Sequence, residues 1–275
     1  MLRYYVPGPQ TGAPILVTDT ITILKPENAG AVVVSGSHGG TSSGRFSLQM
    51  PLAGVFFNDA GIGKDDAGIR SLSENDVVGL PTVTVSHSSA EIGSGPDTWG
   101  NGVVSRANAA AIAIGVAQGM TVSAAASILA LAKKIPQTPA GAEPPTLWRG
   151  TEDIDGRQIV LMESISMLKP DDAGKLVISG SHGGAVSAEF VRRHHPRLAV
   201  FSDAGMGRNK AGIASLAELD ATGIAVVAVS HLSARIGEPK DVLHSGVISA
   251  ANAPARALGF AVGVPLLHAL GLFDT

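Results

Sequence analysis

AVVVSGSHGG, at Ala31–Gly40, decides the reading of this chain because it returns as KLVISGSHGG at Lys175–Gly184. The offset from His38 to His182 is 182 − 38 = 144, and the same offset joins Asp59 to Asp203, His87 to His231, Asn108 to Asn252 and Gly115 to Gly259. No gap is needed across about a hundred residues, and about half of the aligned pairs are identical. Such a period is a duplicated domain-sized module, not a solenoid repeat. The chain therefore divides into a first α/β repeat at 1–132, a connecting segment at 133–158 and a second α/β repeat at 159–275. The connecting segment holds four of the sixteen prolines and shows no hydrophobic periodicity.

Outward from that stretch, each repeat alternates short apolar runs with Gly-rich turns and helical segments. AVVV (31–34) and LVI (176–178) end in SGSHGG; GVFF (54–57) and AVF (199–201) end in NDAGIG and SDAGMG; TVTV (82–85) and VVAV (226–229) end in SHSSAEIG and SHLSARIG. A further run, PILVT near Ile15 and QIVLM near Val160, precedes each core. Fully apolar strands of this length separated by helices are buried parallel strands of βαβ units. The fold class is a three-layer α/β/α arrangement with a mainly parallel sheet, present twice and related by an expected pseudo-two-fold axis.

Composition limits the function. The 275 residues are 45% hydrophobic and 16% charged, with a formal charge of −3, which argues against a nucleic-acid-binding surface. There is no cysteine, so disulfides, thiolate metal sites and cysteine nucleophiles are excluded. The stretch Ala107–Ala132 is apolar mainly through alanine and is broken by Asn108, Gln118 and Gly119. It reads as two short buried helices, not a membrane span. MLRYYVPGPQTG at the start has no secretory pattern, so the expected location is cytoplasmic and no membrane partner is expected.

In parallel sheets, ligands bind beyond the carboxyl ends of the strands, where all three Gly-rich motifs fall. Ser37, His38, Gly39 and Gly40, with Ser181, His182, Gly183 and Gly184, form a turn able to aim amides at an anion or an oxyanion. Asp59 with Gly61, and Asp203 with Gly205, form a second such turn. His87 and Ser89, and His231 and Ser233, end the third strand. Each of these residues also fits an architectural role, such as a steric glycine, a capping aspartate or a satisfied histidine. Two imidazoles and a carboxylate brought together serve as an acid–base set or as a facial triad for a divalent metal. Glu91 in the first repeat stands against Arg235 in the second, a charge reversal beside a shared motif that points to substrate contact or to pairing between repeats.

An apolar strand ending in Ser-Gly-Ser-His-Gly-Gly, followed by one ending in Asp-Ala-Gly-Ile-Gly, resembles the motif order of caspase-like cysteine peptidases and their CHAT-domain relatives. The resemblance spans about sixty residues per repeat and implies a three-layer α/β fold. It matches His38 and His182 to the family's catalytic histidine. It places Gly61 and Gly205 where the cysteine should stand, so cysteine peptidase activity is excluded.

The expected function is hydrolysis of an amide-type C–N bond in a small polar or carboxylate-bearing substrate. In that reading His38, His87, His182 and His231 are acid–base groups, and Asp59 and Asp203 orient an imidazole or a water. The glycine turns supply oxyanion donors, and the serines and Arg235 contact substrate. The alternatives are a non-catalytic module binding an anionic metabolite, and a metal-dependent hydrolase, isomerase or lyase. A homo-oligomer is compatible with either.

Overall fold

A computed structural model describes residues 1–132 and 146–272. They group into two compact units, one drawn from Met1–Gly61, Gly68–Thr146 and Gly207–Asn209, the other from Ile62–Ala67, Leu147–Met206 and Lys210–Thr275. Each unit thus includes a short segment from the opposite repeat.

In unit 1 the strands β1 (Arg3–Val6), β2 (Ile15–Thr18), β3 (Val32–His38), β4 (Gly54–Asn58), β5 (Thr82–Val85) and β6 (Val104–Ala107) lie side by side in sequence order. The four central strands are parallel, and β1 and β6 are antiparallel edges. The centre is apolar on both faces because both are covered. Val33, Val55 and Phe57 pack with Phe46 of α1 (Thr41–Ser47), which lies with α2 (Ser71–Asp76) among the intervening helices. Val32, Val34, Phe56 and Val83 pack with Ala111 of α4 (Ala109–Ile114) and with Ala125 and Leu129 of α5 (Val122–Leu131). Phe56 and Phe57 are fully buried, contributing about 2–3 kcal/mol each relative to exposure. Helix α3 (Gly95–Asn101) starts where Ser94 accepts from the Asp97 N–H.

Unit 2 repeats this layout with β7 (Arg149–Ile154), β8 (Arg157–Met162), β9 (Leu176–His182), β10 (Leu198–Ser202), β11 (Ala225–Val229) and β12 (Ile248–Ala251). β8 to β11 are parallel, flanked by antiparallel β7 and β12. Val177, Phe201 and Val226 face α6 (Ala185–His194) and α7 (Ala214–Leu219). Ile178, Val200 and Val227 face α8 (Pro239–Ser245), α9 (Ala253–Ala257) and α10 (Leu266–Leu272). Two layers of helix around one sheet therefore occur in each unit.

Ala107–Ala132 contains two short helices, α4 and α5, but only α5 is buried as expected: α4 buries Ala111 alone and leaves Ile112 exposed, because its outer face has nothing packed on it among the described residues. No helix among the described residues is long and apolar enough to cross a membrane. Two points differ from the sequence reading. Residues 149–158, placed in the connecting segment, form β7, the turn at 155–156 and the first two residues of β8, while 133–145 lie outside the described residues. Strands β1, β6 and β12 were also unread, because RYYV, VSRA and ISAA mix polar and apolar residues, as edge strands do.

The recurrence of Asn108 and Asn252 has an architectural cause. Asn108 Oδ1 accepts from the Ala111 N–H at 3.0 Å, capping α4, and from the Thr82 N–H of β5 at 3.0 Å, while its Nδ2 donates to the Leu80 carbonyl at 2.9 Å. Asn252 makes the same three bonds to Ala255, Val226 and Ile224.

Candidate functional site

The parallel order β3–β4–β5 brings the three motif loops of unit 1 to one sheet edge. His38 is the last residue of β3 and pairs in register with Asn58, the last of β4, which pairs with Val85, the last of β5. Asp59 follows Asn58 directly, and His87 lies two residues beyond Val85. In unit 2 the corresponding row is His182, Ser202 and Val229, with Asp203 and His231 just beyond. The β3–β4 register slips between Val34 and His38, so Ser35–Ser37 bulge before the histidine.

Within this row the aspartate and the last histidine form a hydrogen-bonded pair. Asp59 is 3% exposed, and its Oδ1 accepts from His87 Nδ1 at 2.9 Å, the His87 N–H at 3.0 Å and the Gly61 N–H at 3.1 Å. Asp203 Oδ1 accepts from His231 Nδ1 at 2.9 Å, the His231 N–H at 2.9 Å and the Gly205 N–H at 3.0 Å. Burial alone would raise both carboxyls. The bonds and charge from the paired histidine, with the glycine N–H at Asp59 and a Ser249 hydroxyl at Asp203, outweigh it and hold both below the usual aspartate value. An ionised carboxylate only accepts, so in the neutral ring the proton sits on Nδ1 and the lone pair on Nε2. The His87 side chain is 32% exposed, so solvent reaches this ring.

The first histidine of each unit carries the opposite tautomer. Nδ1 of His38 accepts from the Gly40 N–H at 3.1 Å, and Nδ1 of His182 accepts from the Gly184 N–H at 3.1 Å. Their proton is therefore on Nε2. Burial lowers His182 to about 4, so it stays neutral at pH 7.

Other expected site groups are committed elsewhere. The Gly39 N–H goes to the Asn58 carbonyl and the Gly183 N–H to the Ser202 carbonyl. Gly40, Gly61, Gly184 and Gly205 donate to the side chains just described. These six amides are therefore spent inside the protein and not aimed at an oxyanion. Ser37 and Ser181 accept from the N–H groups of Ile21 and Ile165, fixing the turns that follow β2 and β8. Ser89 donates to the Ser86 carbonyl and accepts from the Val103 N–H; Ser233 does the same with Ser230 and Val247. Arg235 is ion-paired with Asp65 at 2.8 Å, Glu238 at 2.7 Å and Asp241 at 3.3 Å, which leaves it a structural cation. Glu91, its counterpart, accepts from Asn209 at 2.7 Å. Among the described residues, no three His, Cys, Asp or Glu side chains come together as metal ligands. His38, Asp59 and His87 therefore do not make the facial triad that the motifs allowed.

Ser249 escaped the sequence reading, while Asn58 and Ser202 stood in it only as the differing first residues of NDAGIG and SDAGMG. Asn58 and Ser202 accept from the N–H groups of Ala60 and Ala204, which shapes the aspartate turn. Ser249 helps to lower the Asp203 carboxyl while its hydroxyl donates to the Ala228 carbonyl at 3.3 Å, whereas its counterpart Ser105 is held by Thr84 at 3.1 Å. Thr84 is replaced by Ala228 in the second repeat, which is a readable signal for this difference. No protein-family profile, curated protein or solved structure matches this chain.

Proposed function

We propose that the protein is a hydrolase of amide-type C–N bonds in small polar or carboxylate-bearing molecules, with one acid–base centre per unit. The observation that carries this reading is the Asp59–His87 pair, repeated as Asp203–His231, in which a buried carboxylate fixes the ring with its lone pair on Nε2. A ring so held is a general base. It takes a proton from water as the water oxygen bonds to the substrate carbonyl carbon. The resulting imidazolium returns that proton to the nitrogen as the C–N bond breaks. Asp59 and Asp203 stabilise the imidazolium without taking its proton.

With the glycine amides spent, the developing oxyanion falls to the Nε2–H of His38 or His182. A neutral imidazole donates there without adding a charge that would draw protons from the base. Complementary tautomers at the β3 and β5 ends, and at the β9 and β11 ends, thus divide the roles between base and electrophile across one intervening strand.

The test is hydrolysis of a panel of carboxylate-bearing amides, cyclic imides and ureides by the intact protein, His87→Gln, His231→Gln and the double variant. The expected result is turnover by the intact protein and a loss of ~10²-fold or more in the double variant. Micromolar anion binding with no turnover across the panel would replace this reading with a non-catalytic binding module.

A further inference from the structure

We propose that Arg208 and Lys64 are positioning residues, Arg208 for His87 in unit 1 and Lys64 for His231 in unit 2. Each is supplied by the repeat that does not carry the histidine it positions. This inference rests on the acid–base reading of those histidines. It concerns what orients them, not what they touch.

The carbonyl of His87 accepts from the Arg208 N–H at 2.7 Å, and the carbonyl of His231 accepts from the Lys64 N–H at 2.8 Å. The histidine N–H and Nδ1 are already bonded to the aspartate. The peptide on each side of the ring is therefore tied, one side by the histidine's own repeat and the other by the opposite repeat. Side chains anchor the donors. Lys64 Nζ holds Asp241 through both oxygens at 2.9 and 3.1 Å. Arg208 Nη1 donates to the Ser89 carbonyl at 3.4 Å, and its Nε lies 3.7 Å from Asp97.

The approach is close enough to require glycine just before each donor. A Cβ on Gly207 would lie 2.8 Å from the His87 oxygen, and one on Gly63 would lie 2.9 Å from the His231 oxygen. Both glycines end a run of left-handed residues. Ala60, Gly61, Ile62 and Gly63 have φ between 49° and 76°, and Ala204, Gly205, Met206 and Gly207 have φ between 48° and 72°. Each non-glycine residue there costs about 1–2 kcal/mol. The chain keeps this strain twice, in the segment that begins beside one aspartate and ends on the other repeat's histidine. The next residues are matched to their destinations. Asp65 meets Arg235, and Asn209 meets Glu91, where an aspartate would be repelled.

The experiment is an NMR pH titration of the His87 and His231 ring protons in the intact chain, in Gly207→Ala and in Gly63→Ala, without substrate. Gly207→Ala is expected to move the His87 midpoint by about 0.5 unit or more, with a smaller effect on His231; Gly63→Ala should do the reverse. An effect confined to the repeat carrying the substitution, reaching His231 through nearby Asp203, would overturn the proposal. Should an alanine variant fail to fold, Arg208→Ala is expected to shift His87 in the same direction to a lesser extent, with Arg208→Lys partly restoring it. An unchanged His87 in Arg208→Ala would then overturn it. These outcomes need no turnover, so an inactive protein whose histidines respond as described would count against the hydrolase reading alone.

Discussion

Replacing Asp59 separates its two roles. In Asp59→Ala the part-buried N–H groups of His87 and Gly61 lose their acceptor, at about 1–3 kcal/mol each. Water can enter beside a ring that is 32% exposed, so the low end applies and the sum is about 2–4 kcal/mol. Asp59→Asn keeps an oxygen in place and should cost about 1 kcal/mol. Unit 1 should therefore melt about 5–10 °C lower in Asp59→Ala than in Asp59→Asn. Activity should not discriminate between them, since neither alanine nor asparagine can stabilise an imidazolium: both variants should lose ~10²–10⁴-fold from the unit 1 centre. The chain has two tryptophans, and Trp99 packs in the unit 1 core. Thermal unfolding followed by fluorescence in a Trp148→Phe background therefore reports this unit. Because folding lowers the Asp59 pKa, the wild-type advantage over Asp59→Asn should be complete above about pH 4. It should fade as pH falls through the folded value. Alanine and asparagine variants of equal stability, both within about 0.5 kcal/mol of wild type, would refute the acceptor role assigned to Oδ1.

Asn108→Ala and Asn252→Ala should each cost about 2–3 kcal/mol in thermal unfolding, since each asparagine joins a helix start to a buried strand through three hydrogen bonds. His182 is lowered to about 4, so below about pH 6.5 the unfolded chain takes up a proton that the folded one refuses. Stability should fall between those values, and His182→Gln should flatten that part of the urea-unfolding profile. Arg235→Ala should leave KM within about twofold in steady-state kinetics, because its guanidinium is held by Asp65, Glu238 and Asp241.

The central sheet was legible because its strands are buried on both faces and so carry uninterrupted Val, Ile and Phe. The edges were not: RGTEDI of β7 exposes Thr151 and Asp153 between part-buried neighbours and resembles a linker. Asp59 and His87 were recognisable as candidates from their place after apolar runs. Their direct bond was not, since nothing in a spacing of 28 residues across two strands tells which side chains meet. The glycine amides were misjudged for a related reason. The acceptors of Gly39 and Gly183, the Asn58 and Ser202 carbonyls, become neighbours only when the strands align, and those of Gly40, Gly61, Gly184 and Gly205 are side chains two residues earlier that the turn must fold back to meet. Lys64 and Arg208 gave the weakest signal, because the carbonyls they bond lie more than a hundred positions away in the chain.

The claim that each unit holds its two motif histidines in opposite tautomers is tested most directly by long-range ¹H–¹⁵N correlation of the ring nitrogens at neutral pH. The account predicts that the neutral rings of His87 and His231 carry their proton on Nδ1, and those of His38 and His182 on Nε2. A proton on Nε2 of His87 and His231 would remove the base from the proposed mechanism and contradict the account.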